Sequence, residues 1–509
     1  MTSDEGSFLV VIRAPHFSRS SVNVRLVSEN QLIYIFWNVQ HSVWKLVYRV
    51  HVKVFTREVD TTVGQNIIVI GGGGAGLGAA GGAKAVDPSA SVTVFTENED
   101  VAYSPCGIPF VHGKEIPSFE ALFLADKQSY VDAGIEVRYQ TKITAIDTST
   151  KTVQIESDQP MHYDSLVIST GFSYANPGVP GGELDGLYYV KNIREAMEWD
   201  KRLDTVKKAV VVEASPLGVE MITALAHRGI ETHVIDPNPW ALGELADPDI
   251  VELAQESWAE LGVTMHWNTS LQEFLGNESG AVRGVRTSNG DIECDLVVVA
   301  THKVPNSELA VAAGLKTGST GGLIVDGGMQ TSAAGVWASG DICEIPHGLG
   351  GLPLQGLTGS HAYAQGKVAG ANAAGGNRTY NPVYVPWGMV AGKWMIGGVA
   401  LGEVTANALG MPHVVAVADG ISRARYYPGV KKVRVKLIAE PGTLRLIGAQ
   451  MVGGEGIKER ADFLGVAVKA GLTLHDLATM ENVYSPPIGA LNEPIAVAAQ
   501  KGVASQMGR

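Results

Sequence analysis

Short apolar runs that end in glycine or an acidic residue recur along this chain. Their lack of polar alternation predicts strands covered on both faces. Ile67 to Ile70 is the first, four β-branched residues in succession followed at once by Gly71. Ser91 to Phe95, the centre of Tyr163 to Gly171, Ala209 to Val212, Thr232 to Ile235 and Leu296 to Val299 repeat the pattern. Helical spacing lies between them. Val219, Met221, Ile222, Leu225 and Ala226 fit one helix stopped by Gly229, and Asp247-Pro248 opens and caps another that buries Ile250, Leu253, Ala254, Trp258 and Leu261. Strands alternating with helices predict two parallel βαβ units, the second inserted in the first. Leu296 to Val299 is again a buried strand, and the chain returns to the first unit and closes it with Thr331 to Asp341. From about residue 377 the pattern changes to alternating segments, Val433 to Ile438 and Leu444 to Val452, with a late helix near Ile457 to Ala470. This predicts a separate α+β domain.

The junctions between strands and helices carry the first chemistry. Gly71-Gly-Gly-Gly-Ala-Gly76 follows a predicted strand and opens a helix of small residues. Gly71, Gly73 and Gly76 occupy the three places of G-x-G-x-x-G, giving a tight turn, close backbone approach to a pyrophosphate and close helix packing. The phosphates would rest on the helix N-terminus. Glu97, just past the second strand, is the candidate for the adenosine ribose; the alternatives are that Thr96 holds the usual position and that Glu97 is a solvated loop residue. The second unit has an irregular turn, Glu213-Ala-Ser-Pro-Leu-Gly218, with Glu213 and Ser215 in place of two glycines. Asp236 ends its second strand, where an acid favours a cofactor without a 2′-phosphate. Either Ser215, Gly218 and Asp236 hold a nicotinamide dinucleotide, or the unit keeps the fold without strong binding.

Composition narrows the setting. A chain of 509 residues is expected to hold about three or four domains. A net charge of −13 disfavours nucleic acid and anionic membrane as partners. The apolar patches near the N-terminus, Phe8 to Ile12 and Leu32 to Trp37, are broken too early for a signal core or a membrane span. Cys106, Cys294 and Cys343 are too far apart in sequence to read as a disulfide framework or a zinc site, which suits a reducing cytoplasm. Residues 1–64 differ in character from the rest of the chain, with Trp37 and Trp44 in an irregular β-like pattern. They read either as a small strand-rich appendage or as a start placed too far upstream, with Val63 as the true beginning.

The segment Tyr103-Ser-Pro-Cys-Gly-Ile-Pro-Phe110 follows the first nucleotide motif. On its own Cys106 fits a packed thiol as well as a reactive one; its place downstream of that motif favours the reactive one.

With these elements together, the chain resembles the flavoprotein disulfide reductases, the pyridine nucleotide-disulfide oxidoreductases, over about residues 66–500. Within them it is similar to the single-cysteine branch of coenzyme A-disulfide reductases and NADH oxidases or peroxidases. The motifs are the Gly71 to Gly76 turn, Cys-Gly-Ile-Pro, Ser169-Thr170-Gly171, Thr331 to Asp341 and Tyr484-Ser-Pro-Pro-Ile-Gly-Ala. The resemblance implies an α/β protein with two Rossmann-like domains and a C-terminal α+β dimerisation domain. FAD would be held by residues 65–180 and 300–376, with Thr170, Gly171 and Asp341 among its ligands, and NADH or NADPH by 181–299. Residues 377–509 would make a homodimer, with Tyr484 reaching the partner's active site as a proton donor; a tyrosine packed before a Pro-Pro turn is the alternative.

The implied reaction sends electrons from the nicotinamide through the flavin to Cys106, held as a mixed disulfide or a sulfenic acid. The acceptor would be a small disulfide, persulfide or polysulfide, or peroxide or oxygen. Gly74 stands where the peroxidases and oxidases of the family carry a histidine, which favours the sulfur acceptors. Two departures bear on the substrate: only Lys84 supplies positive charge after the first helix, and Glu213 with Ser215 disturb the second turn. A further alternative is a flavin-binding redox sensor that NADH does not reduce.

Overall fold

The computed structural model describes residues 64–507 apart from residue 244, together with three strands upstream. Those strands, Leu26–Glu29, Leu32–Val39 and Ser42–Tyr48, form an antiparallel sheet in a unit of their own that ends at Thr62. The expected start at Val63 lies outside the described residues.

The first parallel sheet has the order Val336–Ala338, Ser165–Ile168, Asn66–Ile70, Ser91–Phe95, Ile135–Arg138. Ile67, Ile68 and Val69 are fully buried, as a continuous β-branched run requires when helices cover both faces. On one face the Gly74–Val86 helix meets the Gly359–Ala373 helix at unusually short range. A Cβ at Gly366 would stand 2.1 Å from the Ala75 carbonyl oxygen, and one at Gly370 only 1.8 Å from that of Ala79. The glycines are what let the two backbones touch.

The second parallel sheet runs Leu187–Tyr188, Leu296–Val299, Lys208–Val212, Glu231–Ile235, Thr264–His266. Leu296–Val299 belongs here, inside the bound of 299 read for the second unit. Its four fully buried side chains are covered on both faces, Leu296 and Val298 in the core that includes Val219 and Ile222, Val297 and Val299 in the core that includes Phe274 and Val285. The chain then goes back to the first unit. Lys303–Pro305 crosses antiparallel to Phe172–Tyr174, so the outward and return crossings form one two-stranded ribbon.

The last domain is a five-stranded antiparallel sheet, Pro386–Ala391, Trp394–Ala400, Leu446–Gly453, Lys432–Ala439, Val414–Ile421, packed by Ile457–Ala470 and Pro494–Met507. Asp247 ties it to the second sheet. Asp247 was expected to cap its own helix, Pro248–Glu260, but its side chain makes no such bond. Instead it accepts from the Glu403 and Val404 amides at 2.9 and 3.0 Å, capping the Glu403–Ala408 helix. The Glu403 and Val404 amides and the Lys436 ammonium take up the carboxylate, leaving its own helix without a side-chain cap.

The same carboxylate meets the buried Lys436 ammonium at 2.9 Å, alongside Asp249 at 2.9 Å and Glu403 at 2.6 Å. Lys436→Met is expected to destabilise the fold by about 3–5 kcal/mol in denaturant unfolding, because three carboxylates lose their common partner. Among the described residues, no helix is long and apolar enough to cross a membrane.

Candidate active site

The first glycine turn is shaped by close contacts on one side and open space on the other. Gly71 has φ +111°, and a Cβ there would lie 2.2 Å from the Ser169 carbonyl oxygen; at Gly76 it would lie 1.8 Å from the Gly71 carbonyl oxygen. Nothing approaches within 4 Å of a Cβ at Gly73 or Gly74. Gly73 caps the helix with no side-chain bond, so the first amides of a 13-residue helix are left to an anion. This cradle fits a dinucleotide pyrophosphate.

Other predicted residues gather on this turn. Gly340, at φ +85°, places its α-carbon so that a Cβ would be 2.8 Å from Ala75, which sets Asp341 beside the start of the same helix. Thr170 donates its hydroxyl to the Asn306 carbonyl at 2.8 Å, and the Gly171 carbonyl, at a residue with φ +70°, accepts from the Asn306 amide. This joins the end of the Ser165–Ile168 strand to the return crossing. Glu97 is exposed just beyond Ser91–Phe95, while Thr96 is buried.

Cys106 sits on a single 3-10 turn, Pro105–Gly107, that runs into the short helix Ile108–His112. Proline at 105 and 109 stiffens the segment, and Gly107 lies where a Cβ would come within 2.2 Å of Leu122. His112 is fully buried and anchors the far end, with its ring 3.2 Å from Asp200 and 2.9 Å from the Tyr188 hydroxyl. The cysteine itself is exposed, whereas Cys294 and Cys343 are buried. Cys343 is a packed neighbour as expected, its thiol pushed far up by burial, and burial pushes the Cys294 thiol up to about 12.

Although solvent reaches Cys106, protein surrounds it on most sides. That burial pushes its thiol up, followed by the charge of Glu220, with Lys303 pulling it down and Asp341 pushing it up. Glu220 comes from the Pro216–His227 helix of the second unit, and burial raises its carboxyl to about 7. Tyr174 feels the same three groups, Cys106, Glu220 and Asp341, after a larger upward push from burial. Lys303 ion-pairs with Asp341 at 3.0 Å and donates to the Gly356 and Leu357 carbonyls at 3.3 and 3.2 Å.

Lys303, Tyr174 and Glu220 thus join Cys106 and Asp341 without having been predicted as site residues. Glu220 alone left a readable trace, as an acid between Val219 and Met221 on an otherwise apolar helix. Glu220→Gln is expected to move the pH profile of Cys106 alkylation to lower pH. Glu220 is charged above its own titration near 7, where it opposes the thiolate, and glutamine removes that opposition.

The second turn is built differently. Glu213 takes φ +69°, a left-handed conformation that costs a non-glycine residue about 1–2 kcal/mol. Gly218 is needed there, since a Cβ would be 2.1 Å from the Glu213 carbonyl oxygen. Ser215 caps the Pro216–His227 helix by accepting from Gly218 N–H at 3.3 Å. Asp236 accepts from the Ala214 and Asn238 amides, each at 2.8 Å, and so braces the turn. This helix N-terminus offers an anion fewer amides than the first.

Tyr484 is 44% exposed and its hydroxyl lies 3.1 Å from that of Tyr426, itself 76% exposed. Within one chain it answers to Tyr426 and not to Cys106. The pair borders a concavity of about 760 Å³ that also takes in Leu253, Ile421 and Leu491. Val483, Ile488 and Leu491 are each more than 65% exposed beside it, an apolar face that one chain leaves uncovered.

The sequence profile described as pyridine nucleotide-disulphide oxidoreductase matches residues 65–373, and that of the dimerisation domain of the same proteins matches residues 388–494. A protein called NADH oxidase from Methanocaldococcus jannaschii is 33% identical over 85% of this chain and 97% of its own length. A protein called NAD(P)H coenzyme A polysulfide/persulfide reductase from Pyrococcus horikoshii is 30% identical over 86% of this chain and 98% of its own. The solved structure of an NAD-dependent persulfide reductase from A. fulgidus superposes with a TM-score of 0.84 at 32% identity, covering 87% of this chain and 84% of that one.

Proposed function

Because this chain belongs to the pyridine nucleotide-disulphide oxidoreductases, which bind FAD and use NADH or NADPH, we propose that it reduces a small disulfide, persulfide or polysulfide at Cys106. The observation that carries this reading is an exposed thiol acted on by the charges of Lys303 and Glu220, with the two other cysteines buried. In this reading residues 65–180 and 300–376 hold FAD through Gly71, Gly73, Gly76, Glu97, Thr170, Gly171 and Asp341. Residues 181–299 hold the nicotinamide cofactor through Ser215, Gly218 and Asp236, and 377–509 pair two subunits in the cytoplasm.

FAD, when bound, supplies the step from a two-electron hydride donor to a thiol or disulfide. The residues of the chain do the rest. The Cys106 thiolate attacks a disulfide RSSR, forming the Cys106–S–S–R bond and releasing RS⁻; an electron pair then breaks that bond to give the Cys106 thiolate and a second RS⁻. Lys303 offsets the negative charge that develops on the sulfur. Glu220 titrates near neutrality, so it can hold or release a proton beside the thiol at working pH. The two protons that RS⁻ requires come from solvent or from the linked hydroxyls of Tyr484 and Tyr426.

A second subunit is the natural cover for the apolar face around Tyr484. If Tyr484 acts across the dimer, Tyr484→Phe lowers turnover by about 10²-fold, the scale of one proton-transfer group. Co-expression with Cys106→Ser then restores about half of wild-type activity in the mixed dimer, where one complete site forms. No recovery would place the tyrosine in its own chain's site.

The relative called NADH oxidase favours a second reading, in which Cys106 passes through a sulfenic acid with oxygen or peroxide as acceptor. NADH oxidation under argon on adding polysulfide or coenzyme A disulfide supports the sulfur reading. Oxidation only in air supports the other.

A further inference from the structure

The segment that carries Cys106 follows the first unit in sequence but packs on the second. Ile108, Val111 and Leu122 share a core with Trp199, Val219 and Ile222 of the second unit, and none of the three joins the core around the first parallel sheet. Polar ties on both sides of the cysteine run the same way. Before it, the Arg194 guanidinium donates to Asp100 at 3.0 Å, and the Tyr103 hydroxyl donates to the Lys191 carbonyl at 3.5 Å. After it, the Arg228 guanidinium donates to the His112 carbonyl at 3.3 Å, to the Asp200 carbonyl at 3.2 Å and to the Asp200 and Asp204 carboxylates.

A single 3-10 turn and a five-residue helix are too short to hold their own shape, so Cys106 stands where its contacts put it. A Cβ at Gly113 would come 3.3 Å from the Ala224 α-carbon, so the end of the cysteine's helix lies directly against the Pro216–His227 helix. Apolar packing of this kind has no preferred direction. The groups around Asp200 supply one. Burial would raise the Asp200 carboxyl, but hydrogen bonds from His112, Lys114 and Arg228 hold it well below the usual range. The ionised group only accepts, so His112 Nδ1–H donates to it; burial favours the neutral ring, whose Nε2 accepts from the Tyr188 hydroxyl. The Arg228 side chain is 5% exposed, and its planar fork fits the two carboxylates and two carbonyls in one pose. Arg228 ends the helix on which Glu220 stands, and the charge of Glu220 acts on the Cys106 thiol.

We propose that His112, Asp200 and Arg228 are positioning residues for Cys106, a polar clamp that fixes the helix after the cysteine on the Glu220 helix of the second unit and so keeps thiol and carboxyl in one register. This rests on the reading of Cys106 as the reacting thiol. The three act through the Ile108–His112 helix and not on the sulfur. A buried ion pair adds little net stability over apolar packing but is costly to misalign, which suits a device that sets register.

The test is a double-variant cycle read by alkylation of Cys106 with iodoacetamide in the FAD-loaded protein; Cys294 and Cys343 are buried and stay silent. In the wild-type background Glu220→Gln is expected to speed alkylation near pH 8 by about three-fold or more, the effect of removing one nearby negative charge. With Arg228→Met or Asp200→Asn in the background, the same change is expected to alter the rate by less than about 1.5-fold, because the thiol no longer keeps its distance from residue 220. Lys303, Asp341 and Tyr174, the other titratable groups that act around the thiol, are the same in every protein compared. Asp200→Asn keeps the shape of the side chain and serves where Arg228→Met does not fold. Only variants with full flavin content are compared, so a support role confined to stability leaves the Glu220 effect at its wild-type size. An equal effect in all three backgrounds, or none in the wild type, overturns the clamp. Alkylation needs no turnover. A clamped Cys106 that stores no electrons would sink the reductase reading alone, and an electron-storing Cys106 indifferent to Arg228 and Asp200 would sink the clamp alone.

Discussion

Gly76→Ala is expected to purify without its yellow colour. The new methyl carbon would stand 1.8 Å from the carbonyl oxygen of Gly71, and Gly71 cannot retreat because its own α-carbon is set against the Ser169 carbonyl. Relieving such overpacking costs about 1–3 kcal/mol, so FAD retention falls by roughly ten-fold or more and the melting temperature drops even in FAD-free protein. Gly73→Ala separates the two effects. Its Cβ meets nothing within 4 Å, so the FAD-free protein keeps its stability while the methyl group enters the space left for phosphate. Flavin content from the visible spectrum and unfolding of both variants with FAD removed check the pair. Full FAD occupancy in Gly76→Ala would remove the pyrophosphate from this turn.

Cys106→Ser is expected to cut reduction of a disulfide or polysulfide by about 10³-fold or more, the scale of losing a nucleophile. NADH-driven reduction of ferricyanide, which needs no thiol, stays near wild type. The exposed side chain on a 3-10 turn makes little difference to folding, so stability changes by about 0.5 kcal/mol or less. Loss of both activities together would mean that the cysteine supports the flavin site and does not carry the electrons.

The two parallel sheets could be read from the chain because their strands are uniform apolar runs. Such a run has no polar face to offer solvent, and after the first of them, Ile67 to Ile70, Gly71 turns the chain at φ +111°. The same uniformity hid the order of the strands, since a run of four buried residues such as Leu296–Val299 fits between any two neighbours. The partner of the Asp247 side chain was also out of reach. A cap is a local pattern, but here a distant helix, Glu403–Ala408, and Lys436 decided where the carboxylate turned.

The thiol and the first glycine turn stood out in sequence because each needs a particular residue type at a fixed local position. Lys303 and Glu220 did not, because charge acts through space. They come from a crossing strand and a helix of the second unit, and only the fold brings their charges to bear on Cys106. Tyr426 was missed for the same reason. It lies 58 residues before Tyr484 in sequence but within 3.1 Å across their hydroxyls.

The most direct test of Cys106 as a redox centre is an anaerobic titration of the FAD-loaded protein with NADH, then NADPH, following the flavin spectrum in wild type and Cys106→Ser. Wild type is expected to take up one electron pair more than the variant before its flavin bleaches. Equal uptake in the two proteins would contradict the account, leaving a flavin enzyme whose cysteine only packs.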